Sequence, residues 1–535
     1  MAESEQNKVE ALDEETSFIN KHERNNSPSD RIDVKFDDIF ESLGDLGFYQ
    51  LLVFVMSNLL ELSGTVSVMY FIFECADPGW KCASIECANS CVNLSMPNST
   101  DGFCSTENLI CVNRTFNPTF TSALTEWNLI CSEFWKTKVI QSVFFVGLIP
   151  GAFVGGQVCD SYGRRHTILI MWILLSISQV GLRFTSSYIT YVVIRFITGC
   201  LAGAIVCVAP VLSIEWISPK WRIIASWRFS WQFSPVVVAL LAYLCRDWKT
   251  LTTAVGLITI PLLPVYMLIY PESPRWLVQK GSLKGAEYWV RKAFRLNRLS
   301  PPDDLATFLE DLQRSELSSA VKRSTYLDLF HNKEYSKWTI VIALSSFGLG
   351  LTWYGVNSSI SSLLGNMYLN VAFSGSGSIF VGIVSLYTNN RMGRVRGFCM
   401  YMVMMGICYL IIIAIELIGK SEEYGTVITY SAIVSLALCA GCWSGIITSC
   451  CELYPTLMRN ISNAMLGAAV RFAAVLSPQI SLLTAIHPVI PYILYATFTF
   501  GFGVLVLLSI PETVGKPLPD SYLQKDEKPI STTEL

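Results

Sequence analysis

Twelve apolar runs divide this chain, and their length leaves little choice of fold. They fall at roughly 47–73, 138–158, 167–185, 188–213, 223–244 and 250–270, then at about 338–362, 369–388, 396–418, 426–450, 460–485 and 489–510. A hydrocarbon core about 30 Å thick is crossed by about 20 apolar residues in a helix. A helix satisfies its own backbone polar groups there, which a loop in lipid cannot do. The expected fold is an all-α membrane protein of about twelve transmembrane helices in two groups of six. A large extracellular loop is expected between helices 1 and 2. Composition agrees: 52% of the 535 residues are hydrophobic, 15% are charged, and mean hydropathy is +0.43. A net charge of −3 gives no reason to expect a nucleic-acid partner. Four scattered histidines (His22, His166, His331, His487) build no metal site, and no H-E-x-x-H, Walker A or dinucleotide fingerprint occurs. A metalloenzyme and an ATP-driven pump are disfavoured, no enzyme activity is expected, and no cofactor is expected.

The polar segments fix the remaining organisation. Residues 1–46 read as an acid-rich cytoplasmic tail ending in an amphipathic lead-in, without the positive n-region of a removable signal peptide. Residues 47–270 form the first six-helix bundle and carry the loop 74–136. That loop holds Cys75, Cys82, Cys87, Cys91, Cys104, Cys111 and Cys131, with sequons at Asn93, Asn98 and Asn113. Clustered cysteines among sequons indicate a disulfide-stapled, glycosylated extracellular segment. The odd count leaves at least one thiol over, and the pairing stays open. Residues 271–337 form a basic central cytoplasmic loop, 338–510 the second bundle, and 511–535 a cytoplasmic tail. Lys and Arg concentrate on the side shared by the central loop and both termini, as the positive-inside rule requires.

The two bundles repeat. Gly163-Arg164-Arg165 after span 2 answers Gly393-Arg394 after span 8. Glu215 to Arg222 after span 4 answers Glu452 to Arg459 after span 10. Pro271-Glu272-Ser273-Pro274-Arg275 after span 6 answers Pro511-Glu512-Thr513 after span 12. The offsets are all roughly 230 to 240 residues and keep one order, which indicates a duplicated six-span unit. Two such repeats about an axis normal to the membrane put a ligand site between them, near the midplane. Two charges sit at that depth. Arg471 follows Arg459 by twelve residues, which in a helix is about 18 Å inward. Glu61 lies mid-way along the first span. A charge at the bilayer centre costs on the order of 3 kcal/mol or more, so each needs a wet cavity or a partner. Arg471 serves either in an anion site or in a structural ion pair. Glu61 serves either in a site or as a protonated acid bonded to a neighbouring helix.

These residues, together with GGQVCDSYGRRH (155–166), TEWNLIC (125–131), PESPRWL (271–277), ELYPTLMRN (452–460) and PETVGKPLPD (511–520), resemble a known family. From about residue 36 to 525 the chain resembles the organic cation, anion and zwitterion transporters of solute carrier family 22, in the major facilitator superfamily. The resemblance implies the major facilitator fold and alternating access, in which the two halves rock about a central site. It implies that Asp160, Arg164, Arg165, Glu215, Arg222, Glu272, Arg275, Glu452 and Arg459 form a cytoplasmic charge network that holds the halves together when the inside is closed. Asp160 is expected to cap the start of the eleventh span. Asn390 departs from the Asp common at its position. Position 471 is Asp in cation-carrying members and Arg in anion and carnitine-type members, so Arg471 implies a carboxylate-bearing substrate. Gly382 stands where anion members often have a Lys, which lends weight to Glu61 and to a carnitine-like zwitterion. The same comparison puts Trp231, Trp353, Tyr354 and Trp443 around the substrate, where aromatic walls can hold flat organic groups or quaternary ammonium heads.

The expectation is a multi-pass plasma-membrane transporter, secondary-active or facilitative, for a small organic ion. A coupling ion (Na⁺ or H⁺) or an exchanged anion is left open. One rival is an organic cation transporter anchored by Glu61. Another is a non-transporting receptor or scaffold, against which the matched charges of both repeats argue. The last residues, Thr533 to Leu535, fit a class of PDZ-domain ligand.

Overall fold

The structure is a computed structural model that describes residues 39–40, 42–44, 46–87, 109–218, 229–318, 326–454 and 456–514. Eleven of its helices are long and apolar enough to cross a membrane, and a twelfth apolar helix is shorter. The first bundle contains α1 (Phe48–Met69), α2 (Trp135–Tyr162), α3 (Arg164–Leu182), α4 (Tyr188–Glu215), the shorter α5 (Phe229–Cys245) and α6 (Trp248–Leu257). The first span runs on through Phe71–Glu74, and the sixth through Leu263–Ile269 after a 3-10 turn at Pro261. The second bundle contains α10 (Lys333–Ser359), α11 (Met367–Met392), α12 (Arg394–Ile418), α13 (Gly425–Leu453), α14 (Thr456–Ser481) and α15 (Val489–Ser509).

The basic central stretch is folded rather than extended. It forms α7 (Pro274–Gln279), α8 (Leu283–Leu296) and α9 (Leu305–Ser318). Ala286, Val290, Ala293 and Phe294 recur at helical spacing on α8 and are buried, together with Leu277 and Val278 of α7 and Leu305, Leu309 and Leu312 of α9. Asn297, just past α8, accepts the Tyr49 amide at 2.8 Å and donates to Gln50 Oε1 at 2.8 Å. The start of α1 is thereby tied to this helical unit.

Strands appear in the cysteine-rich loop. β1 (Trp80–Cys87) pairs antiparallel with β2 (Leu109–Phe116), stapled by the Cys82–Cys111 disulfide. Cys131 is also disulfide-bonded, and Cys75 is a free thiol. Asn113 on β2 is exposed, as a glycan acceptor must be. Cys91, Cys104, Asn93 and Asn98 lie outside the described residues, as do the tails and Arg222. The end of the loop is seated on the bundle: Ala123, Leu124, Leu129 and Ile130 are buried against Ile140, Leu182, Tyr191 and Trp248. Thr121 donates to Asp247 at 2.6 Å, and Lys249 bonds Glu126 at 2.7 Å. Partial burial would raise the Asp247 carboxyl, but its hydrogen bonds from Thr121 and Thr250 hold it below the usual range.

The duplication seen in the sequence is repeated in the backbone. Gly163 between α2 and α3 has φ 102°, and Gly393 between α11 and α12 has φ 106°, conformations that L-residues other than glycine rarely adopt. A β-carbon at Gly163 would stand 2.5 Å from Glu272 Oε2, and one at Gly393 would meet the Glu512 carboxylate. Each glycine thus opens the space in which a distant glutamate caps the next helix.

Candidate functional site

Each half builds the same charge cluster on the face opposite the cysteine-rich loop. In the first half, Glu272 is buried and accepts the Arg164 amide at 2.8 Å and the Arg165 amide at 3.1 Å. These are free N–H groups in the first turn of α3, where a carboxylate is favoured by both hydrogen bonding and the helix dipole. The Arg164 guanidinium bonds Glu215 at 3.1 Å and Asp160 at 3.2 Å. In the second half, Glu512 accepts the Arg394 amide at 2.6 Å and the Val395 amide at 3.4 Å. Arg394 bonds Glu452 at 3.3 Å, and Thr513 donates to Glu452 as well. Arg394 also donates to Asn390, which takes the place of Asp160 in this half.

The resemblance implies that such a network joins the halves when the inside is closed; in this structure, closed on the loop face, the bonds described above stay within each half. Asp160, which the resemblance places against the eleventh span when the inside is closed, is here 73% exposed and pairs with Arg164 on the following helix. Among the described residues Arg459 makes no hydrogen bond through Nε or Nη2. Arg275 is half-buried on α7, and Arg165 turns outward to the Met267 carbonyl.

Contacts between the halves lie toward the loop face. Ser142 on α2 donates to the Val475 carbonyl on α14 at 2.9 Å and accepts from Gln479 at 3.0 Å. Ser361 donates to the Ile72 carbonyl at 3.2 Å. Tyr368, at the start of α11, stacks on Phe73 at 5.8 Å and meets the edges of Tyr243 at 5.6 Å and Phe120 at 6.4 Å. Gly375 brings α11 against α5, since a β-carbon there would stand 3.1 Å from Pro235 Cβ. These hydrogen bonds and ring contacts between the halves all lie on this side or at mid-depth. Among the described residues these contacts between the halves close the loop face, and the charge clusters lie on the other.

At mid-depth, beneath that seal, are the aromatic residues singled out in the sequence. Trp231 on α5 meets Trp353 on α10 edge-to-face at 6.0 Å, across the interface. Trp353 meets Tyr354 at 4.7 Å. Tyr354 is buried, against Phe145 at 5.0 Å and Phe71 at 6.3 Å of the other half. Tyr354 therefore belongs to the seal rather than to an open wall, whereas Trp231, Trp353 and Trp443 are half-buried. Glu61 is buried on α1 and accepts the Ser230 hydroxyl at 2.8 Å, one residue before Trp231. Thr65, one turn further along α1, donates to the Ser230 carbonyl at 3.4 Å. Glu61 thus fixes the turn of α5 that carries Trp231.

Arg471 is half-buried on α14, fifteen residues past its start at Thr456, or about 22 Å along the helix. Its Nη1 folds back over Gly467: a β-carbon there would stand 3.1 Å from it. Lacking a side chain, Gly467 leaves room for the guanidinium along its own helix.

Sequence reasoning missed one charged pair. Arg195 on α4 and Glu74 at the end of the first span are both fully buried. Arg195 Nε lies 2.6 Å from Glu74 Oε1, and Nη2 donates to Oε2 at 2.8 Å. Tyr191 donates to the same carboxylate at 2.7 Å, and the guanidinium stacks over Phe144 at 4.2 Å. One hydrogen bond from Nη2, with Nε in ion-pair range of the other oxygen, clamps the loop end of the first span to α4. An arginine eight residues into the fourth apolar run carried the signal, by the same cost argument that flagged Arg471.

Two matched clusters of charge, an aromatic wall across a two-bundle interface and a seal on one face define a membrane carrier. The family model described as "Sugar (and other) transporter" matches residues 107–521, over half of the chain. The chain belongs to that family and, within the major facilitator superfamily, to solute carrier family 22; it is a transporter and not an enzyme. Among its relatives, the organic cation transporter protein of Drosophila melanogaster is 27% identical, with 91% of this chain and 93% of that one covered. The human organic cation/carnitine transporter 2 is 27% identical, over 76% of this chain and 72% of that one. Among solved structures, the inward-open xylose transporter XylE from E. coli matches with a TM-score of 0.62 at 19% identity, covering 90% of this chain and 98% of that one.

Proposed function

We propose that this protein carries a small carboxylate-bearing organic ion, an organic anion or a carnitine-like zwitterion, across the plasma membrane, with both termini cytoplasmic. The observation that carries the reading is Arg471, a permanent cation about two-thirds of the way along a membrane helix, half-buried and given room by Gly467. Guanidinium keeps its charge when desolvated and matches a carboxylate with two parallel hydrogen bonds. The Trp231–Trp353 pair supplies aromatic faces for the organic body or a quaternary ammonium head. The loop face is assigned to the outside on the strength of its disulfides and the exposed Asn113. The C-terminal Thr533–Leu535 sequence, outside the described residues, is read as a ligand for a PDZ-domain protein.

A second reading has its own observation. Glu61 is buried beside the aromatic pair and bonded to Ser230, so a cation could be held by Glu61 and the tryptophans. Competitive uptake in transfected cells separates the two. A labelled carnitine-type zwitterion, an aromatic monocarboxylate and a quaternary ammonium are compared with and without Na⁺, in the natural chain and in Glu61→Gln. Carboxylate uptake that survives Glu61→Gln supports the anion, loss of zwitterion uptake alone supports the zwitterion, and uptake of the bare ammonium alone overturns the carboxylate reading. Dependence on Na⁺ assigns the coupling ion.

A further inference from the structure

The central helix α8 carries a cationic surface that the transport site does not use. Between residues 280 and 300 stand six basic residues and one acidic residue. The acid, Glu287, is bonded to Arg291 at 2.8 Å. The inner face of α8 is buried in the helical unit, but Tyr288 is 60% exposed, and Arg295 and Leu296 are exposed beside it. Large apolar and aromatic groups alternating with cations on one helix face are the pattern of a segment lying at a membrane interface.

Its placement against the sixth span is fixed by two cations. Lys292 Nζ donates to the Leu268 carbonyl at 3.0 Å, and Arg165 donates to the Met267 carbonyl. Leu268 is 73% exposed, on the last turn of a membrane-crossing helix, so lipid surrounds it. The Lys292 ammonium is therefore level with the end of the hydrocarbon. Lys292 and Arg165 also bracket one indole, 4.6 Å and 5.3 Å from the Trp289 ring. Neither has a carboxylate partner among the described residues. Burial and the neighbouring Arg165 both work against the Lys292 charge, so an anion placed between them would relieve both effects.

We propose that Lys292 and Arg295 of α8, with Tyr288 beside them, bind the headgroup of an anionic phospholipid of the leaflet that meets the central helices. The surface lies where a lipid phosphate lies, at the hydrocarbon edge, and its apolar residues match acyl chains rather than a soluble anion. Because Asn297 ties α8 to the start of α1, lipid held here would bear on the first bundle.

The purified full chain in neutral detergent is titrated with phosphatidylserine, phosphatidylcholine or inorganic phosphate, and thermal unfolding is followed. Phosphatidylserine is expected to raise Tm, and phosphatidylcholine and phosphate to leave it in place. In Lys292→Gln/Arg295→Gln the phosphatidylserine concentration for half the shift should rise on the order of tenfold or more. Lys280→Gln/Lys284→Gln removes the same charge elsewhere on the unit and should behave as the natural chain. If the first double variant does not fold, Arg295→Gln alone serves, since its side chain makes no hydrogen bond or ion pair among the described residues; it should weaken the response about fivefold. An equal response to phosphatidylcholine or phosphate, or an undiminished response in the Lys292 or Arg295 variants, overturns the proposal. Detergent has no sidedness, so the outcome does not depend on the substrate or orientation proposed above.

Discussion

The two faces of the interface between the bundles are held by different chemistry. On the loop face the halves meet through rings and neutral hydrogen bonds: Tyr368 among Phe73, Tyr243 and Phe120, and Ser142 with Val475 and Gln479. On the opposite face each half keeps its charges to itself, Arg164 with Glu215 and Glu272, Arg394 with Glu452 and Glu512. Apolar and aromatic surfaces pack closely and separate as a unit when a face opens. The contrast suits a carrier that seals one side by packing while the other side stays separated.

Three substitutions probe that contrast, beginning with the largest effect. Glu74→Gln breaks the buried clamp to Arg195 and should cost about 3 to 5 kcal/mol, because the guanidinium is left buried without its counter-charge. Thermal unfolding of the purified protein reads this, and a Tm unchanged within error would show that the pair is not clamping the first span. Next, Glu272→Gln and Glu512→Gln remove matched caps, each accepting two or more backbone amides. Each should cost its own half about 1.5 to 3 kcal/mol for every charge-assisted hydrogen bond removed. Both variants should destabilise, and a large effect in one with none in the other would break the symmetry between the halves. Smallest, Tyr368→Ala removes three ring pairs worth about 0.5 to 1.5 kcal/mol each. It should shift the carrier toward opening on the loop face with little loss of folding stability. Labelling of a cysteine placed at Ser361 by a membrane-impermeant reagent should then accelerate, and an unchanged rate would contradict the seal.

Much of this was legible because the bilayer permits so few solutions. Span number, the large loop and the duplicated motifs could be read directly, and both Gly163 and Gly393 proved to be positive-φ positions that admit a capping glutamate. What was misread depends on tertiary context. The charge count of the central stretch masked the helical spacing of Ala286, Val290, Ala293 and Phe294. β1 and β2 are held by a disulfide whose pairing no spacing fixes. That Glu272 and Glu512 accept backbone amides of the next helix depends on the folded turns at Gly163 and Gly393. The resemblance puts Tyr354 at a cavity wall, whereas its ring packs against Phe71 and Phe145, which come from the other bundle.

The most direct test of the account is uptake of a carnitine-type zwitterion and an aromatic monocarboxylate by Arg471→Ala and Arg471→Lys, with surface protein measured in the same cells. The account predicts that Ala abolishes carboxylate uptake at unchanged surface level and that Lys restores only part of it, since a point charge lacks the two-pronged match. Carboxylate uptake retained in Arg471→Ala would contradict the assignment of Arg471 as the anchor.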